Sequence, residues 1–254
     1  MKVKGSVSLI TGGSQGFGRA FSRELLKRGG KVTVVDIDDE TGLKTCKDFS
    51  KEFGEGSAHF IHCDVTNTDH LEGAFNETIN KFGRLDILCN NAGGLVHNWK
   101  KLVELNLTSV IHGTFLGIKH MKAANKGAGG VIVNVGSLSG LFPFRDAPVY
   151  SATKFGVVGF TQSLKKANTR ENIRVNCLCP SFSPTTMVEK GLEARPEMRP
   201  FVEKIGIVPI EDVAKGFIEL VHDDTKDGEV LTVTVKGLVY VKARHEHFPV
   251  EPKL

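Results

Sequence analysis

The chain has 254 residues, of which 40% are hydrophobic and 24% are charged, so its composition fits a single globular α/β domain. Its 33 basic and 29 acidic side chains give a formal net charge of +4 and form no long basic block, so we expect no nucleic-acid partner. The sequence shows no leader pattern and no apolar run of membrane-spanning length. We therefore expect a cytoplasmic protein without a membrane partner.

Residue types that can bind metals do not form a metal site in this sequence. The five cysteines are odd in number and scattered, which argues against a disulfide framework. Cys177 and Cys179 share one face of a predicted strand, and no second pair follows at zinc spacing, so we interpret them as buried core thiols. His245 and His247 fall in a polar tail and are interpreted as solvated.

Apolar segments and turn residues predict strands that alternate with helices. Seven strands are predicted, over residues 7–10, 31–36, 59–64, 85–89, 131–135, 173–179 and 230–235. Six helices are predicted, over residues 19–28, 39–53, 68–82, 102–122, 150–168 and 210–221. Because the strands are almost continuously apolar, helices should cover both sheet faces. Residues 1–254 are thus predicted to form one Rossmann-like α/β domain with a doubly wound parallel sheet of seven strands.

Residues 180–209 form the one long connection, and their five prolines predict an irregular segment. Long connections in compact domains are often lids, so we predict a substrate lid over about residues 181–209. Its apolar side chains would suit a lipid-like alcohol. These side chains are Phe182, Met187, Leu192, Met198, Phe201 and Val202. The alternative is a loop that only packs these side chains on the domain.

A glycine-rich turn follows the first predicted strand, with Gly12, Gly16 and Gly18 placed before the first helix. Gly12 permits the turn, and the other two glycines let a cofactor approach the backbone closely. The helix N-terminus would then direct its N–H groups at a pyrophosphate. The spacing differs from G-x-G-x-x-G, and a turn without a ligand is the alternative. Its position after the first strand favours a dinucleotide site.

Two carboxylates follow the next strands at the same predicted sheet edge. Asp36 ends the second strand, where it would accept a hydrogen bond from the adenosine ribose and repel a 2′-phosphate. Ile37 and Asp38 follow with no arginine nearby, which favours NAD over NADP, and a helix-capping role for Asp36 is the alternative. Asp64 follows the third strand and would contact adenine together with the Val65 backbone, or else form a simple Asx turn.

Ser137, Tyr150 and Lys154 lie in one stretch that leads into a predicted helix. If Tyr150 opens that helix, Lys154 lies one turn further along the same face. An ammonium beside a phenol would lower the tyrosine pKa from its free value of about 10, which makes Tyr150 a candidate general acid/base. Ser137 could hold a substrate oxygen. The alternative is a partly exposed helix start with a solvated lysine.

Together these segments resemble the short-chain dehydrogenase/reductase family over residues 5 to about 182. The resemblance rests on the joint order and spacing of motifs that are modest one by one. They are Thr11-Gly12-x-x-x-Gly16-x-Gly18, Asp64-Val65, Asn90-Asn91-Ala92-Gly93, Asn106, Ser137 and Tyr150-x-x-x-Lys154.

The resemblance implies a role for each motif. Tyr150 would be the catalytic acid/base, Lys154 would lower its pKa and bind the nicotinamide ribose, and Ser137 would bind the reacting oxygen. Asn106 would fix a water that links Lys154 to solvent, or would merely bend its helix. Ser137, Ala147 and Tyr150 would contact the substrate. NAD would be bound by Gly12, Gln15, Gly16, Phe17, Gly18, Asp36, Ile37, Cys63, Asp64, Val65, Asn91, Ala92, Gly93, Tyr150, Lys154, Pro180 and Thr185.

Within the family, the chain is most similar to the hydroxyprostaglandin dehydrogenase branch. The similar stretches are residues 82–88, Asn98-Trp99, residues 113–117, Pro148-Val149-Tyr150 and Asp223-Asp224. Two positions depart from the pattern. That branch has a glutamine three residues before the tyrosine, where this chain has Ala147, which cannot hydrogen-bond through its side chain. The usual Pro-Gly after the sixth strand is Pro180-Ser181 here.

The resemblance implies an NAD-dependent oxidoreductase that interconverts a secondary alcohol and its ketone, with a lipid-like, prostaglandin- or steroid-type hydroxyl. The alternatives are an NADH-dependent carbonyl reductase of another small apolar ketone, or a catalytically silent binding protein on the same scaffold. Apart from this small-molecule substrate, the implied partner is a second copy of the chain. In a homodimer or homotetramer, the helices over 102–122 and 150–168 would pair between subunits.

Overall fold

The computed structural model describes residues 1–125, 127–167 and 169–241, which form one α/β domain around a single sheet. The strands are β1 (Val7–Thr11), β2 (Lys31–Asp36), β3 (Ala58–His62), β4 (Ile87–Asn90), β5 (Gly130–Val135), β6 (Ile173–Pro180), β7 (Val230–Thr234) and β8 (Gly237–Tyr240). Their order in the sheet is β3-β2-β1-β4-β5-β6-β7-β8. The first seven strands are parallel, and β8 pairs with β7 in the antiparallel direction.

Helices cover both faces of this sheet, as predicted. They are α1 (Gly16–Lys27), α2 (Asp39–Phe53), α3 (Thr68–Phe82), α4 (Trp99–Val103), α5 (Ser109–Met121), α6 (Pro148–Ser163), α7 (Thr186–Ala194), α8 (Arg199–Ile205) and α9 (Ile210–His222). Leu9 and Ile10 are adjacent in β1 and enter separate buried clusters on opposite faces. Phe21 of α1 stacks on Phe217 of α9 in one cluster, with centroids 4.5 Å apart. Phe75 of α3 lies in the other cluster.

Several predicted elements are confirmed at their predicted bounds, and local capping explains why. Helix α2 begins after Asp38, whose side chain accepts a hydrogen bond from Thr41 N at 3.0 Å. Helix α3 begins after Asn67, which accepts from two N–H groups of the first turn, and ends at Gly83 with a left-handed φ of 83°. Such caps can be predicted from the sequence because they depend only on neighbouring residues.

The predicted strand count was wrong by one, because β8 forms a hairpin with β7. Gly237 pairs with Thr234 and has a φ of +101°, a conformation that glycine adopts without strain. The strand has only four residues, and three of them are exposed. Leu238, Val239 and Tyr240 are residue types that favour strands, but a run of only four residues is too short for its pattern alone to identify a strand.

Four predicted helices have different bounds in the structure. Helix α1, predicted over 19–28, begins at Gly16 and ends at Lys27, and α9 ends one residue later than predicted, at His222. The helix predicted from residue 102 begins at Trp99, because the Asn98 side chain accepts from Lys100 N at 3.0 Å and caps it. It continues through a π-helical segment (Glu104–Thr108) into α5. The helix predicted over 150–168 is α6, which begins earlier, at Pro148, and ends at Ser163.

The prediction that residues 180–209 are irregular was wrong. This segment contains α7, a short 3₁₀ turn (Pro196–Met198) and α8. Pro196 and Pro200 lie in the first turns of their elements, where a backbone N–H has no partner within the helix and proline is tolerated. The prolines therefore mark where helices begin in this segment.

Within the described ranges, no helix has the length and apolar character needed to cross a bilayer. The same residues contain no group of three or more His, Cys, Asp or Glu side chains that could hold a metal ion. Cys177 and Cys179 are buried on one face of β6 with their Sγ atoms 3.6 Å apart, which confirms the prediction of core thiols. His245 and His247 lie outside the described residues.

Candidate active site

The predicted site residues gather at the carboxyl edge of the parallel sheet. The glycine turn follows β1, Asp36 ends β2, and Asn91 follows β4. Ser137 follows β5, and Pro180 ends β6. Parallel α/β sheets bind their ligands at this edge, so the topology places these residues where a ligand site is expected.

The glycine turn is as tight as its sequence predicts. Gly12 and Gly16 have left-handed φ values of +61° and +52°. A Cβ atom on Gly18 would collide with the carbonyl oxygen of Gly12, so no other residue fits there without a shift. Helix α1 starts within the turn, at Gly16, and its free N–H groups form a positive end that suits a pyrophosphate. These features fit a dinucleotide cofactor.

The turn is held against the end of β4 by side-chain hydrogen bonds. Asn91 Nδ2 donates to the carbonyl oxygens of Thr11 and Gly12, at 2.8 and 3.0 Å. Thr11 Oγ1 in turn accepts from the backbone N–H groups of Asn91 and Ala92, each at 3.0 Å. The predicted Asn91 and Ala92 thus lie beside the turn. The Thr11 hydroxyl links the end of β1 to the segment that follows the neighbouring strand β4.

Asp36 is fixed to the glycine turn and does not cap a helix. Its Oδ2 accepts from Ser14 N at 3.1 Å and from the Ser14 hydroxyl, and its Oδ1 accepts from Asp38 N at 3.2 Å. The cap of α2 is Asp38, so the capping alternative for Asp36 was wrong. Ser14, which is buried, was not among the predicted site residues. Ile37 follows with a largely exposed side chain.

Asp64 forms the Asx turn that the sequence left open as an alternative. Its Oδ1 accepts from Thr66 N at 2.9 Å and from Thr66 Oγ1 at 2.7 Å. The neighbouring side chains of Cys63 and Val65 are buried, and burial raises the pKa of the Cys63 thiol to about 12. Cys63 N donates to the carbonyl oxygen of Asp36 at 2.8 Å, which links this segment to the end of β2.

Lys154 is buried between β5 and α6 and lies beside Tyr150. Its ammonium donates to the carbonyl oxygen of Val135 at 2.9 Å and lies 5.7 Å from the centroid of the Tyr150 ring. The Ser137 hydroxyl lies close enough to the Tyr150 phenol to lower the pKa of that phenol. Because Lys154 is only 4% exposed, the alternative of a solvated lysine was wrong. The structure brings the three predicted catalytic side chains together.

Burial is the main cause of the pKa shifts of Lys154 and Tyr150. It lowers the pKa of Lys154 from 10.5 to about 8. It raises the pKa of Tyr150, which the hydrogen bond from Ser137 lowers in part and the nearby Cys179 raises further. The net direction for the phenol is opposite to the predicted lowering. At neutral pH the structure therefore holds a neutral phenol beside a charged ammonium.

Asn106 lies in the π-helical segment and is fully buried. Its side chain pairs with the backbone of Gly94, accepting from N and donating to O, each at 2.9 Å. A Cβ atom on Gly93 would lie 3.1 Å from Asn106 Oδ1 and 3.7 Å from Lys154 Nζ. Asn106, Gly93 and Lys154 therefore form one cluster, and the water-binding role of Asn106 stays a prediction.

The segment after β6 returns to the glycine turn. Thr185 caps α7, and a Cβ atom on Gly16 would lie 3.6 Å from its Cγ2 atom. Thr186 Oγ1 donates to Gln15 Oε1 at 3.1 Å. The structure thus brings the predicted Gln15, Gly16 and Thr185 together.

Phe17 and Ala147 are predicted site residues whose side chains offer no polar contact. The Phe17 ring packs on the core beside Phe21, so only its backbone faces the turn. Ala147 precedes α6, and its carbonyl oxygen accepts from Ser151 N at 2.9 Å.

Pro180 is buried at the end of β6, and the following Ser181 N donates to Val233 O at 2.9 Å.

Comparison with known proteins identifies the family. A family model described as short chain dehydrogenase matches residues 6–196. The chain belongs to this family. This confirms the predicted family and the predicted enzyme class, an alcohol dehydrogenase.

Individual relatives match over most of their length. The chain is 40% identical to a 15-hydroxyprostaglandin dehydrogenase (NAD+) of Bos taurus and 39% identical to that of Homo sapiens, with 94% of each chain covered in both cases. It is 33% identical to a 3beta-hydroxysteroid dehydrogenase 2 of Eggerthella lenta, over 73% of this chain and 74% of that protein. A solved structure of levodione reductase gives a TM-score of 0.83 at 26% identity, covering 91% of this chain and 96% of the other. The predicted similarity to hydroxyprostaglandin dehydrogenases is confirmed.

The lowered pKa of Lys154 predicts a change of stability with pH. Between about pH 8 and 10.5 the folded lysine is neutral while the unfolded one still binds a proton, so stability rises with pH. From pH 7 to pH 10 this group should stabilise the wild type by on the order of 2 kcal/mol. Lys154→Met should lose that gain. Urea unfolding at both pH values measures the difference.

Lys215→Met is the matched control, because Lys215 is exposed and its hydrogen bond to Asp212 raises its pKa. Lys215→Met should keep the wild-type gain in stability between pH 7 and pH 10. If the stability difference between wild type and Lys154→Met is the same at both pH values, the lysine is not held at a lowered pKa.

Proposed function

We propose that the protein is an NAD-dependent oxidoreductase that interconverts a secondary alcohol and its ketone. The observation that carries this proposal is the grouping of Ser137, Tyr150 and Lys154 at the sheet edge that also bears the glycine turn. A phenol and a hydroxyl with a buried ammonium 5.7 Å from the phenol ring can bind one oxygen and exchange one proton with it. Family membership supports the same chemistry.

The residues of the chain would handle the proton of the alcohol. The ionised Tyr150 would accept the hydroxyl proton, and Ser137 would donate a hydrogen bond to the same oxygen as it becomes a carbonyl. When bound, the nicotinamide supplies the hydride acceptor. Lys154 would stabilise the phenolate from its place 5.7 Å from the ring centroid. Asn106 would connect Lys154 to solvent through a water.

We propose NAD as the cofactor in preference to NADP. Asp36 presents a carboxylate beside the glycine turn, where it suits a free ribose and disfavours a 2′-phosphate. Two of the similar proteins are named as NAD+ enzymes. The backbone around Gly12, Asn91 and Gly93 and the hydroxyl of Thr185 would hold the rest of the dinucleotide.

The similar dehydrogenases are named for a prostaglandin and a steroid hydroxyl, so we propose a lipid-like secondary alcohol of that kind. The segment over about residues 181–209 would act as the substrate lid. Since Ala147 offers no hydrogen bond, apolar contacts would carry more of the recognition than a second polar contact beside the hydroxyl.

A specific observation favours ketone reduction by NADH as a second candidate. Burial raises the pKa of Tyr150 and so widens the pH range in which the phenol is neutral, the form that protonates a ketone oxygen. In the oxidation direction the phenolate is required, so alcohol oxidation should increase with rising pH. Ketone reduction thus requires the neutral phenol of Tyr150, and alcohol oxidation requires its phenolate.

Tyr150→Phe removes the proposed acid/base and should lower kcat at least about 10²-fold in either direction. NADH absorbance at 340 nm measures the rate, with prostaglandins, hydroxysteroids and simple secondary alcohols as substrates. Tyr240→Phe changes the one other tyrosine, on β8, and should keep wild-type rates. Equal losses in both variants, or none in Tyr150→Phe, would contradict the assignment and favour a binding protein without catalysis.

Asp36→Asn should raise kcat/KM for NADP+ relative to NAD+ by at least about tenfold, because it removes a negative charge from beside the 2′-phosphate position. The asparagine keeps an oxygen acceptor for Ser14. Asp38→Asn changes the neighbouring capping carboxylate and should leave the ratio unaltered. A wild type that uses both cofactors equally would refute the role of Asp36.

We also propose a homodimer or homotetramer that pairs α4, α5 and α6 with their copies. Trp99, Phe115 and Phe155 are 59%, 54% and 42% exposed on these helices, and a partner subunit would bury them. Phe115→Glu should shift sedimentation towards the monomer. Leu43→Glu, at a residue of α2 that is 60% exposed, should not. A wild type that is monomeric at every concentration would exclude the assembly.

A further inference from the structure

The loop before α6 is fixed to the residue next to Tyr150. Phe144 N donates to Ser151 Oγ at 2.9 Å, and Ala147 N donates to Phe144 O at 3.1 Å. Ser151 is buried and lies directly after Tyr150 in the first turns of α6. The position of Phe144 is therefore coupled to that of the proposed acid/base.

Three phenylalanine rings join this loop to the segment after β6. Phe144 stacks on Phe201 of α8 with centroids 5.7 Å apart and an interplanar angle of 26°. Phe182 meets both rings edge-on, at 6.5 Å from Phe144 and 6.2 Å from Phe201. Aromatic pairs of this kind stabilise a contact beyond the area that they bury. We call Phe144 and Phe201 the aromatic pair.

A second contact joins the same two segments. Arg195, between α7 and α8, donates from its guanidinium to the carbonyl oxygen of Asp146 at 3.0 Å. Asp146 lies between Phe144 and Ala147, so the loop is held at two neighbouring points. These contacts keep α8 over the loop that carries Ala147.

The aromatic pair is partly exposed at the surface. Phe201 remains 42% exposed, although its ring stacks on Phe144. The loop after β5 and the segment after β6 leave the same edge of the sheet, because β5 and β6 are parallel neighbours. An aromatic surface at this edge can contact a ligand that reaches Tyr150.

We propose that the aromatic pair determines substrate specificity and selects a secondary alcohol that carries an extended apolar or aromatic group on its carbinol carbon. This inference rests on the proposed function and names the substrate class more narrowly. Ala147 supplies no hydrogen bond beside the carbinol, so discrimination falls to the apolar surface of Phe144 and Phe201. Arg195 and Ser151 are positioning residues that hold this surface in place.

The test measures kcat/KM with NAD+ for 2-alkanols from 2-butanol to 2-decanol. In the wild type, each methylene that reaches the pair should raise kcat/KM by up to about fourfold. Phe144→Ala and Phe201→Ala should each lower the ratio of 2-decanol to 2-butanol by about four- to fifteenfold, the equivalent of one or two methylene contacts. Because the two rings form one surface, the double variant should lose about as much as either single variant.

Phe142→Ala is the matched control. Phe142 lies in the same loop and is 70% exposed, but its ring is in none of the aromatic contacts of this cluster. It should keep the wild-type ratio. Phe144→Leu, which retains apolar volume, should keep part of the preference. Circular dichroism and titration with NADH test whether each variant is folded and binds cofactor.

The outcomes separate this inference from the proposed function. A Tyr150-dependent reaction whose chain-length ratio is unchanged in Phe144→Ala and Phe201→Ala overturns the inference alone, as does an equal loss in Phe142→Ala. A reaction that does not depend on Tyr150 overturns the proposed function. If no alcohol is oxidised, the affinity of the NADH complex for 2-butanone to 2-decanone is measured by fluorescence. A dependence on chain length that falls in Phe144→Ala supports the aromatic pair, and one that stays the same overturns it.

Discussion

The buried ammonium of Lys154 is the constraint on which the site depends. A charged group that is 4% exposed is costly to hold, and the fall of its pKa from 10.5 to about 8 expresses that cost. The charge is kept by the Val135 carbonyl at 2.9 Å, which requires α6 to pack closely on the end of β5. That packing sets Tyr150 beside the ammonium and brings Ser137, two residues after Val135, within reach of the phenol.

Much of the fold could be predicted because its signals are local. Helices α2 and α3 have the predicted bounds, since Asp38, Asn67 and Gly83 act on their own neighbours. Strand β8 was missed although Leu238, Val239 and Tyr240 favour a strand, because it has only four residues and is defined by its pairing with β7. In the segment after β6, the prolines predict an irregular chain, yet Pro196 and Pro200 open helical turns.

For the candidate site, residue identities could be predicted better than their energetics. Spacing and family resemblance pointed to Ser137, Tyr150 and Lys154, which the fold brings together. The direction of the Tyr150 pKa shift could not be predicted, because a sequence shows the neighbouring cation but not the burial of the phenol, which is the largest cause of the raised pKa. Ser14 was missed for a similar reason, since its bonds to Asp36 connect residues 22 positions apart.

The segment after β6 joins the two halves of the site. Thr186 contacts Gln15 in the glycine turn, and Arg195 contacts the carbonyl of Asp146 in the loop before α6. One continuous piece of chain therefore touches both the proposed cofactor site and the proposed substrate site. Because both contacts come from one stretch of chain, the position of the proposed substrate site is coupled to that of the proposed cofactor site. The missing hydrogen bond at Ala147 fits this arrangement, because the rings of Phe144 and Phe201 offer an apolar contact where Ala147 offers no polar one.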